Sequence, residues 1–187
     1  MGAVNRNRLI NQALRIGNRA LRRWGAHSAG SGGTRRGDDV QHGRHRRDES
    51  PSPAAYPGDF TGRPTIEYDP VKDDEADPGE VVWTWVPFEE DPAQGKDRPV
   101  LVIGHDGEWL LVLQLSTVGD PDERQREAGR GRHWVDIGAG AWDSRGRESE
   151  VRVNRIIRIR PDTVRRIGAR LDPGTYRDVA RQVLQHY

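Results

Sequence analysis

The run PGEVVWTWVPFEEDPAQGKDRPVLVIG, residues 78–104, constrains the fold more than any other part of the chain. It begins with residues 81–86, in which β-branched and aromatic side chains predominate, as is typical of a strand. A charged loop that ends in Lys96-Asp97-Arg98-Pro99 follows, and residues 100–103 then predict a second, wholly apolar strand. Two strands joined by a charged loop predict a hairpin that presents Arg98 to solvent on a rigid support.

The residues downstream predict a small antiparallel fold. Gly104-His105-Asp106-Gly107 has the composition of a hairpin turn. Further strands are predicted at residues 109–115, 133–137, 151–159 and 165–171, with a charged loop at 119–132, a polar loop at 138–147 and one helical turn at 161–164. Alternation in the strand at 151–159 places Val151, Val153, Ile157 and Ile159 on one face and Arg152, Asn154, Ile156 and Arg158 on the other.

The C-terminus predicts a helix that closes this fold. Asp172 is an N-cap residue, and Pro173 occupies the first helical position. An apolar stripe at helical spacing must bury against the sheet or a second subunit, and its members are Tyr176, Val179, Ala180, Val183, Leu184 and Tyr187. We therefore expect residues 78–187 to form a mainly β domain, a small SH3-like barrel with a C-terminal helix.

The N-terminal extension differs from this domain in charge. Residues 1–50 contain eleven Arg and four acidic residues. Residues 4–24 predict a basic amphipathic helix, since apolar side chains recur at Leu9, Ala13 and Ile16. Such a helix binds nucleic-acid phosphates or an anionic membrane, or it stays solvated.

A linker is predicted between this helix and the domain. Residues 25–77 are rich in Gly, Ser, Asp and Pro, and they end in an acidic arm at residues 66–77. Hydrophobic residues make up only 33% of the chain, and the mean hydropathy is −0.89. We therefore expect the extension to be largely disordered.

Composition also excludes several kinds of site. The chain has no Cys, which removes disulfides, thiolate metal ligands and Cys nucleophiles. No apolar run approaches the ~20 residues of a membrane-spanning helix. A cytoplasmic location is therefore the expectation from sequence.

The order of the C-terminal segments resembles the PemK/MazF toxins, which are small endoribonucleases of bacterial toxin–antitoxin systems. The resemblance rests on the first strand, the loop that ends in Gly95-Lys-Asp-Arg-Pro99 and the strand VLVI, followed by LVLQLST at 111–117 and HWVDI at 133–137. VRVNRIIRI and the final helix then follow in the family's order. The resemblance implies a PemK/MazF/CcdB-like barrel and a homodimer. It also implies single-stranded RNA, mRNA in particular, as substrate, an acidic antitoxin as partner, and no metal or other cofactor.

The family cleaves RNA by attack of a ribose 2′-OH on the adjacent phosphate. The reaction needs a base for the 2′-OH proton, cations for the phosphorane and an acid for the 5′ oxygen. The resemblance gives Arg98 the role of phosphate clamp, since a guanidinium matches two phosphate oxygens. Ser116 matches the family's Ser/Thr, with Thr117 as a one-residue alternative, and Arg152 matches an Arg that acts in some members.

The identity of the base is open. Members that use the Arg at position 152 carry an Asp two residues later, whereas this chain has Asn154, which cannot exchange a proton near neutral pH. Substitute bases are Glu89, Glu90 and Asp91, and acid/base candidates are His105 and His133. We expect RNA contacts from Gln94, Lys96, Arg98, Trp142, Asn154 and Arg158.

Two other functions remain open from the sequence. Asn154 and the long extension favour a module that binds RNA or a protein without cutting, and a related toxin fold acts on gyrase. The acidic arm at 66–77 further suggests autoinhibition, in which the arm covers the basic RNA-binding face.

Overall fold

The computed structural model describes residues 56–187. The predicted basic helix at 4–24 and the first part of the predicted linker, residues 25–55, lie outside the described residues. Seven strands and two α-helices make up the described part. In chain order they are β1 (Glu80–Pro87), β2 (Gly95–Asp106), β3 (Trp109–Thr117), α1 (Pro121–Gly129), β4 (Trp134–Gly138), β5 (Ser149–Arg152), β6 (Ile157–Ile159), β7 (Arg166–Arg170) and α2 (Pro173–Val183).

The strands form one antiparallel sheet in the order β4-β5-β3-β2-β1-β7, and β6 pairs with β3. A 3-10 turn at Pro161–Thr163 precedes β7. The predicted fold class, mainly β with a C-terminal helix, is confirmed. Within residues 56–187, neither helix is long and apolar enough to span a membrane.

The sheet is apolar on both faces along most of its length. In β3, Leu111, Leu113 and Leu115 belong to a first core cluster, whereas Leu110 and Val112 belong to a second. Successive side chains of a strand point to opposite faces, so the two clusters lie on opposite sides of β3. Helix α2 covers the first cluster with Tyr176, Val179 and Val183. Asp172 caps this helix by accepting from the backbone N–H groups of Gly174 and Thr175.

The opening hairpin differs from the prediction in the length of its second strand. β2 begins at Gly95, so Lys96-Asp97-Arg98-Pro99 lies inside the strand and not in the loop. Arg98 pairs with Thr84 of β1 and is half-buried, whereas the sequence placed it fully at the solvent. Backbone pairing with β1 extends the strand here despite the polar side chains.

The predicted charged loop at 119–132 contains helix α1. Asp120 caps this helix by accepting from the Glu123 backbone N–H at 2.8 Å, and Pro121 occupies the first turn. No residue of α1 is buried. The apolar periodicity that identifies a buried helix was therefore absent, although the Asp-Pro start was the same as at Asp172-Pro173.

The single strand predicted at 151–159 is wrong. β5 ends at Arg152, and β6 begins at Ile157. Val153 and Ile156 pack in the first core cluster, whereas Ile157 packs in the second. Val153 and Ile156 would point to opposite faces in a continuous strand, so their shared cluster requires the bend that the chain makes at residues 153–154.

Residues 56–77 are packed against the domain, so the predicted disordered linker is wrong for this part. The Phe60 backbone N–H donates to the Ile156 carbonyl at 2.8 Å. The Glu67 N–H donates to the Ile103 carbonyl at 3.0 Å, and the Tyr68 hydroxyl donates to the Leu171 carbonyl at 2.8 Å. Polar composition predicted disorder, but a few apolar and aromatic anchors are enough to hold the segment.

Gly104 lies where this segment crosses β2, and it gives the first testable prediction. A Cβ at position 104 would lie 2.4 Å from the Thr65 carbonyl oxygen, which is backbone and cannot rotate away. We expect Gly104→Ala to lower the free energy of unfolding by about 1–3 kcal/mol. Gly129→Ala is the matched control, because no atom lies within 4 Å of its added Cβ. Equal stability of the two variants in chemical denaturation would contradict the packing of residues 56–77.

Candidate active site

Polar side chains replace apolar ones at one end of the second-cluster face. Val82, Val100 and Val112 belong to the second cluster. Alternation from these residues places Thr84, Arg98, Gln114 and Ser116 on the same face. β5 continues this face, because Ser116 pairs directly with Glu150 and Arg152 follows two residues later. We call the set Arg98, Gln114, Ser116, Glu150 and Arg152 the polar face.

The strand register brings Arg98 and Ser116 to the same place. The last recorded β2–β3 pair is Val100 with Gln114. Beyond this pair β3 no longer pairs with β2, and Ser116 pairs with Glu150 of β5. The same antiparallel register, continued by two residues, would bring Arg98 opposite Ser116. Thr117 pairs with Ser149 and, by alternation, points to the opposite face. The register therefore favours Ser116 over Thr117 as the neighbour of Arg98.

Arg98 is a half-buried cation without a counter-ion in the described part of the chain. Burial lowers the pKa of its guanidinium, and the charge of Arg155 lowers it further. An uncompensated guanidinium beside a second one is favourable only when an anion can approach. The fork of Arg98 is thus free to bind the two oxygens of a phosphate.

Arg155 is buried and is held by the N-terminal segment. Its Nε donates to Asp59 Oδ2 at 2.8 Å and its Nη2 to Asp59 Oδ1 at 3.3 Å, and Nη2 also donates to the Pro87 carbonyl at 3.1 Å. The Tyr56 hydroxyl donates to Asp59. Desolvation raises the pKa of Tyr56, as does its bond to Asp59, so the phenol stays protonated. This group fixes the second cation next to Arg98.

The guanidinium of Arg152 forms an ion pair with a carboxylate of the β1–β2 loop. Its Nη1 and Nη2 donate to the two oxygens of Glu89 at 2.8 and 3.1 Å. The hydrogen bond from Arg152 lowers the pKa of Glu89. Arg152 Nε donates to Asn154 Oδ1 at 3.2 Å, and the same oxygen accepts from the His133 backbone N–H at 3.1 Å.

The side-chain amide of Asn154 is therefore hydrogen-bonded within the protein. Its Nδ2 also donates to the Gly131 carbonyl, so both ends of the amide are bonded. The amide joins the end of β5 to the start of β4 and orients Arg152. This arrangement makes Asn154 a residue that positions Arg152, and its contact with RNA stays a prediction.

Two more of the expected RNA contacts lie in the β1–β2 loop and at the start of β2. Lys96 is exposed and lies two residues from Arg98 on β2. Gln94 is exposed, and its Nε2 donates to Asp91 Oδ2 at 2.8 Å. Glu90, in the same loop, forms an ion pair with Arg132 at 2.5 Å. The loop is thus tied down over the polar face by acidic side chains.

Two expected RNA contacts do not join this site. Trp142 is only 4% exposed, packs in the first core cluster and donates its Nε1–H to Ser149 Oγ at 3.0 Å. Its buried ring cannot stack on a base, so that prediction is wrong. Arg158 donates to Asp106 at 2.7 Å and stacks over Phe60, at the end of β2 remote from Arg98. Its guanidinium anchors the N-terminal segment.

The histidine candidates lie at two different places: His105 is far along β2 from Arg98, whereas the His133 backbone N–H shares Asn154 Oδ1 with Arg152 Nε. His105 is the penultimate residue of β2, seven positions beyond Arg98. His133 precedes β4, and its ring lies 4.8 Å from the ring of His186, centroid to centroid. Desolvation and His133 lower the pKa of His186. Neither candidate belongs to the polar face.

The acidic arm makes its recorded contacts away from Arg98. The backbone of residues 67–69 bonds to Ile103 and Pro78, and the Asp77 carboxylate accepts from the Val71 N–H at 3.0 Å. Ile103 is five residues along β2 from Arg98, roughly 16 Å at the rise of a strand. None of these contacts provides the cover over Arg98 that autoinhibition by the arm requires. That hypothesis receives no support from them.

Glu150 and Trp134 belong to the site although the sequence did not single them out. Glu150 is 7% exposed, and burial raises its pKa above the ordinary value. Trp134 pairs with Arg152, and its indole N–H is buried without a hydrogen-bond partner among residues 56–187. A buried donor with no acceptor costs stability.

Arg155 was also missed, although the sequence carried a signal. Alternation from Val151 and Val153 puts position 155 on the apolar face, where an Arg requires a buried acidic partner. Its partner, Asp59, lies 96 residues away in a segment that had been assigned to a linker. No local spacing could supply that pairing.

Comparison with known proteins agrees with the resemblance found in the sequence. A family model described as "PemK-like, MazF-like toxin of type II toxin-antitoxin system" matches residues 77–187. This span contains all the described strands and both helices. A search of curated proteins gave no match. The family expectation from the hairpin and the segments after it is thereby confirmed.

The Asp59–Arg155 pair gives a stability prediction. Asp59→Asn removes the charge that compensates a guanidinium of which only 5% is exposed. We expect a loss of about 1–3 kcal/mol, below the range for fully buried pairs because Asp59 itself is 31% exposed. Asp162→Asn is the control, since both partners of the Arg160–Asp162 pair are about half exposed and such pairs contribute roughly 0–1 kcal/mol. Urea denaturation measures both, and equal losses would contradict a structural role for Asp59.

Proposed function

Because the chain belongs to the PemK/MazF family of type II toxins, we propose that it is a metal-independent endoribonuclease that cuts single-stranded RNA. The observation that carries the proposal is the position of Arg98. It is half-buried, has no counter-ion among residues 56–187, and lies on the same face of the sheet as Ser116 and Arg152. A phosphodiester supplies the missing negative charge.

The reaction is an internal transesterification. The 2′-oxygen of one ribose attacks the adjacent phosphorus, the bond to the 5′-oxygen breaks, and a 2′,3′-cyclic phosphate and a 5′-OH remain. Arg98 binds the non-bridging oxygens and stabilises the charge that builds up on them. Ser116 is placed to donate a hydrogen bond to the same phosphate. DNA lacks the nucleophile, so the chemistry itself selects RNA.

Substrate binding has to displace an internal competitor. Glu89 holds both terminal nitrogens of Arg152 in the geometry that a phosphate would use. The β1–β2 loop therefore moves away when RNA reaches Arg152. An acidic antitoxin peptide would meet the same cations, which agrees with the partner that the family implies. We propose in addition that the toxin is a homodimer acting on mRNA in the cytoplasm.

Arg98→Ala tests the proposal directly. We expect kcat/KM for cleavage of an unstructured transcript, with EDTA present, to fall by about 10²–10³. Arg98→Lys should retain part of the activity, because a charge remains but the bidentate fork is lost. The 5′-OH and 2′,3′-cyclic phosphate ends are mapped on the products. Arg177→Ala, an exposed position on α2, is the matched control and should cleave normally.

Failure of the wild-type protein to cleave RNA under these conditions would refute the endoribonuclease. Retained, Arg98-dependent binding of intact RNA would then identify a binding module. Inhibition of gyrase in a supercoiling assay would instead identify the second alternative.

Glu89→Gln tests the competition at Arg152. Removing the charge weakens the internal pair, so RNA affinity should rise roughly 3–10-fold, equivalent to about 1 kcal/mol, while cleavage persists. Glu108→Gln, on the exposed turn between β2 and β3, controls for the change in net charge. Binding is measured with 2′-O-methyl RNA, which cannot be cut. Loss of cleavage with unchanged binding would instead identify Glu89 as the base.

A further inference from the structure

The proposed reaction needs a proton acceptor, and the family's Asp is absent at position 154. Glu89 is a poor replacement, because Arg152 holds both of its oxygens and lowers its pKa. A paired carboxylate of low basicity has little tendency to take a proton. The acceptor must therefore be sought elsewhere on the face that holds Arg98.

Glu150 is the carboxylate on that face. It pairs with Ser116 of β3 on one side and with Asp136 of β4 on the other. Directly opposed residues in an antiparallel pair have Cβ atoms roughly 4.5–5.5 Å apart, so Glu150 adjoins Ser116. Arg152 follows on the same face, and the continued register would bring Arg98 opposite Ser116. A phosphate held by Arg98 and Ser116 would thus bring its ribose next to Glu150.

The contacts of Glu150 do not account for its burial. Its carboxylate is 3.7 Å from Arg124 Nε, whereas Arg124 approaches Asp136 to 3.0 Å. Within residues 56–187, no side-chain or backbone donor hydrogen-bonds to the Glu150 carboxylate. A carboxylate used only for structure is normally hydrogen-bonded when it is buried this far. Arg124 is 42% exposed and forms a cover that can swing away.

We propose that Glu150 is the general base of the RNA cleavage, a role that rests on the proposed function. One carboxylate oxygen takes the 2′-OH proton while the 2′-oxygen forms its bond to phosphorus. The bond from phosphorus to the 5′-oxygen breaks, and that oxygen takes a proton from solvent water. Glu150 releases its proton to solvent after the product leaves, so no other reactant is consumed.

The charged groups around Glu150 suit this role. Burial raises its pKa first of all, and Asp136 on β4 together with Glu123 and Glu127 on α1 raises it further, while Arg124 on α1 lowers it. Ser116 faces it from β3, and Arg152 lies on its own strand. A base must be deprotonated to act, so the rate rises with pH until Glu150 has ionised. Because the pKa of Glu150 is raised, this rising limb of the pH–rate profile lies at higher pH than it would for an ordinary Glu.

The test compares full-length wild-type protein with Glu150→Gln and Glu150→Asp across pH 5–9. Single-turnover cleavage of an unstructured transcript is measured with enzyme in excess and EDTA present. We expect Glu150→Gln to cleave about 10²–10⁴ times more slowly than wild type. Its pH–rate profile should also lack the limb that rises with pH. Glu150→Asp should cleave at a reduced rate that still rises with pH, with a shifted midpoint. Binding of 2′-O-methyl RNA should change less than about threefold in either variant.

Asp136→Asn is the matched control. It removes a carboxylate that pairs with the same Arg124, but its side chain is 61% exposed. Cleavage should stay within about threefold of wild type and should still rise with pH, with a midpoint at lower pH because Asp136 raises the pKa of Glu150. A purely structural role for Glu150 predicts lower stability without a change in the pH profile. Thermal melting separates that case, and Glu150→Asp decides the question if Glu150→Gln does not fold.

The outcomes separate this inference from the proposed function. If wild type cleaves, Arg98→Ala does not, and Glu150→Gln retains both rate and limb, then Glu150 is not the base and the endoribonuclease stands. An unshifted limb in Glu150→Asp overturns the inference in the same way. If wild type cleaves no RNA, the proposed function fails and the base assignment falls with it.

Discussion

The compensation of one buried guanidinium organises the functional end of this molecule. Arg155 follows the bend between β5 and β6 and would be prohibitively costly to bury without a counter-ion. Asp59 supplies it, and with Asp59 come Tyr56 and Phe60, so the pair attaches the N-terminal segment to the domain. Because Asp59 pairs with Arg155 and not with Arg98, the site keeps one satisfied and one unsatisfied cation side by side. The unsatisfied cation is Arg98, the residue that we propose binds the phosphate.

Two glutamates at the candidate site, Glu89 and Glu150, differ in their contacts and therefore in the roles that we propose for them. Glu89 is held by Arg152 and is held ionised, which suits a removable counter-ion. Glu150 is buried with only a distant cation, which suits a proton acceptor. Neighbours alone make this difference, since the two side chains are chemically identical. Asn154, where some members of the family carry an Asp, bonds to Arg152 and cannot exchange a proton, so the base that we propose lies outside that motif.

Much of the fold followed from the sequence, because local patterns fixed the main strands and the final helix. The hairpin, β3 and the Asp172 cap are each determined by residues close together in the chain. Helix α1 was missed because none of its residues is buried. The break between β5 and β6 was missed because the apolar residues on both sides of it fit one continuous strand equally well. Of the site, Arg98 and Ser116 came from the family's pattern. Arg155, Asp59 and Glu150 required the register and a contact across 96 residues, which no local rule supplies.

The crossing of Thr65 over Gly104 has a consequence for how this chain can evolve. The carbonyl of Thr65 occupies the space in which any side chain at position 104 would begin. Position 104 is therefore restricted to glycine only as long as the crossing segment is present. A relative without such a segment is released from this restriction and can carry a larger residue there. The extension and Gly104 are thus epistatic, and acquiring the first makes the second obligatory.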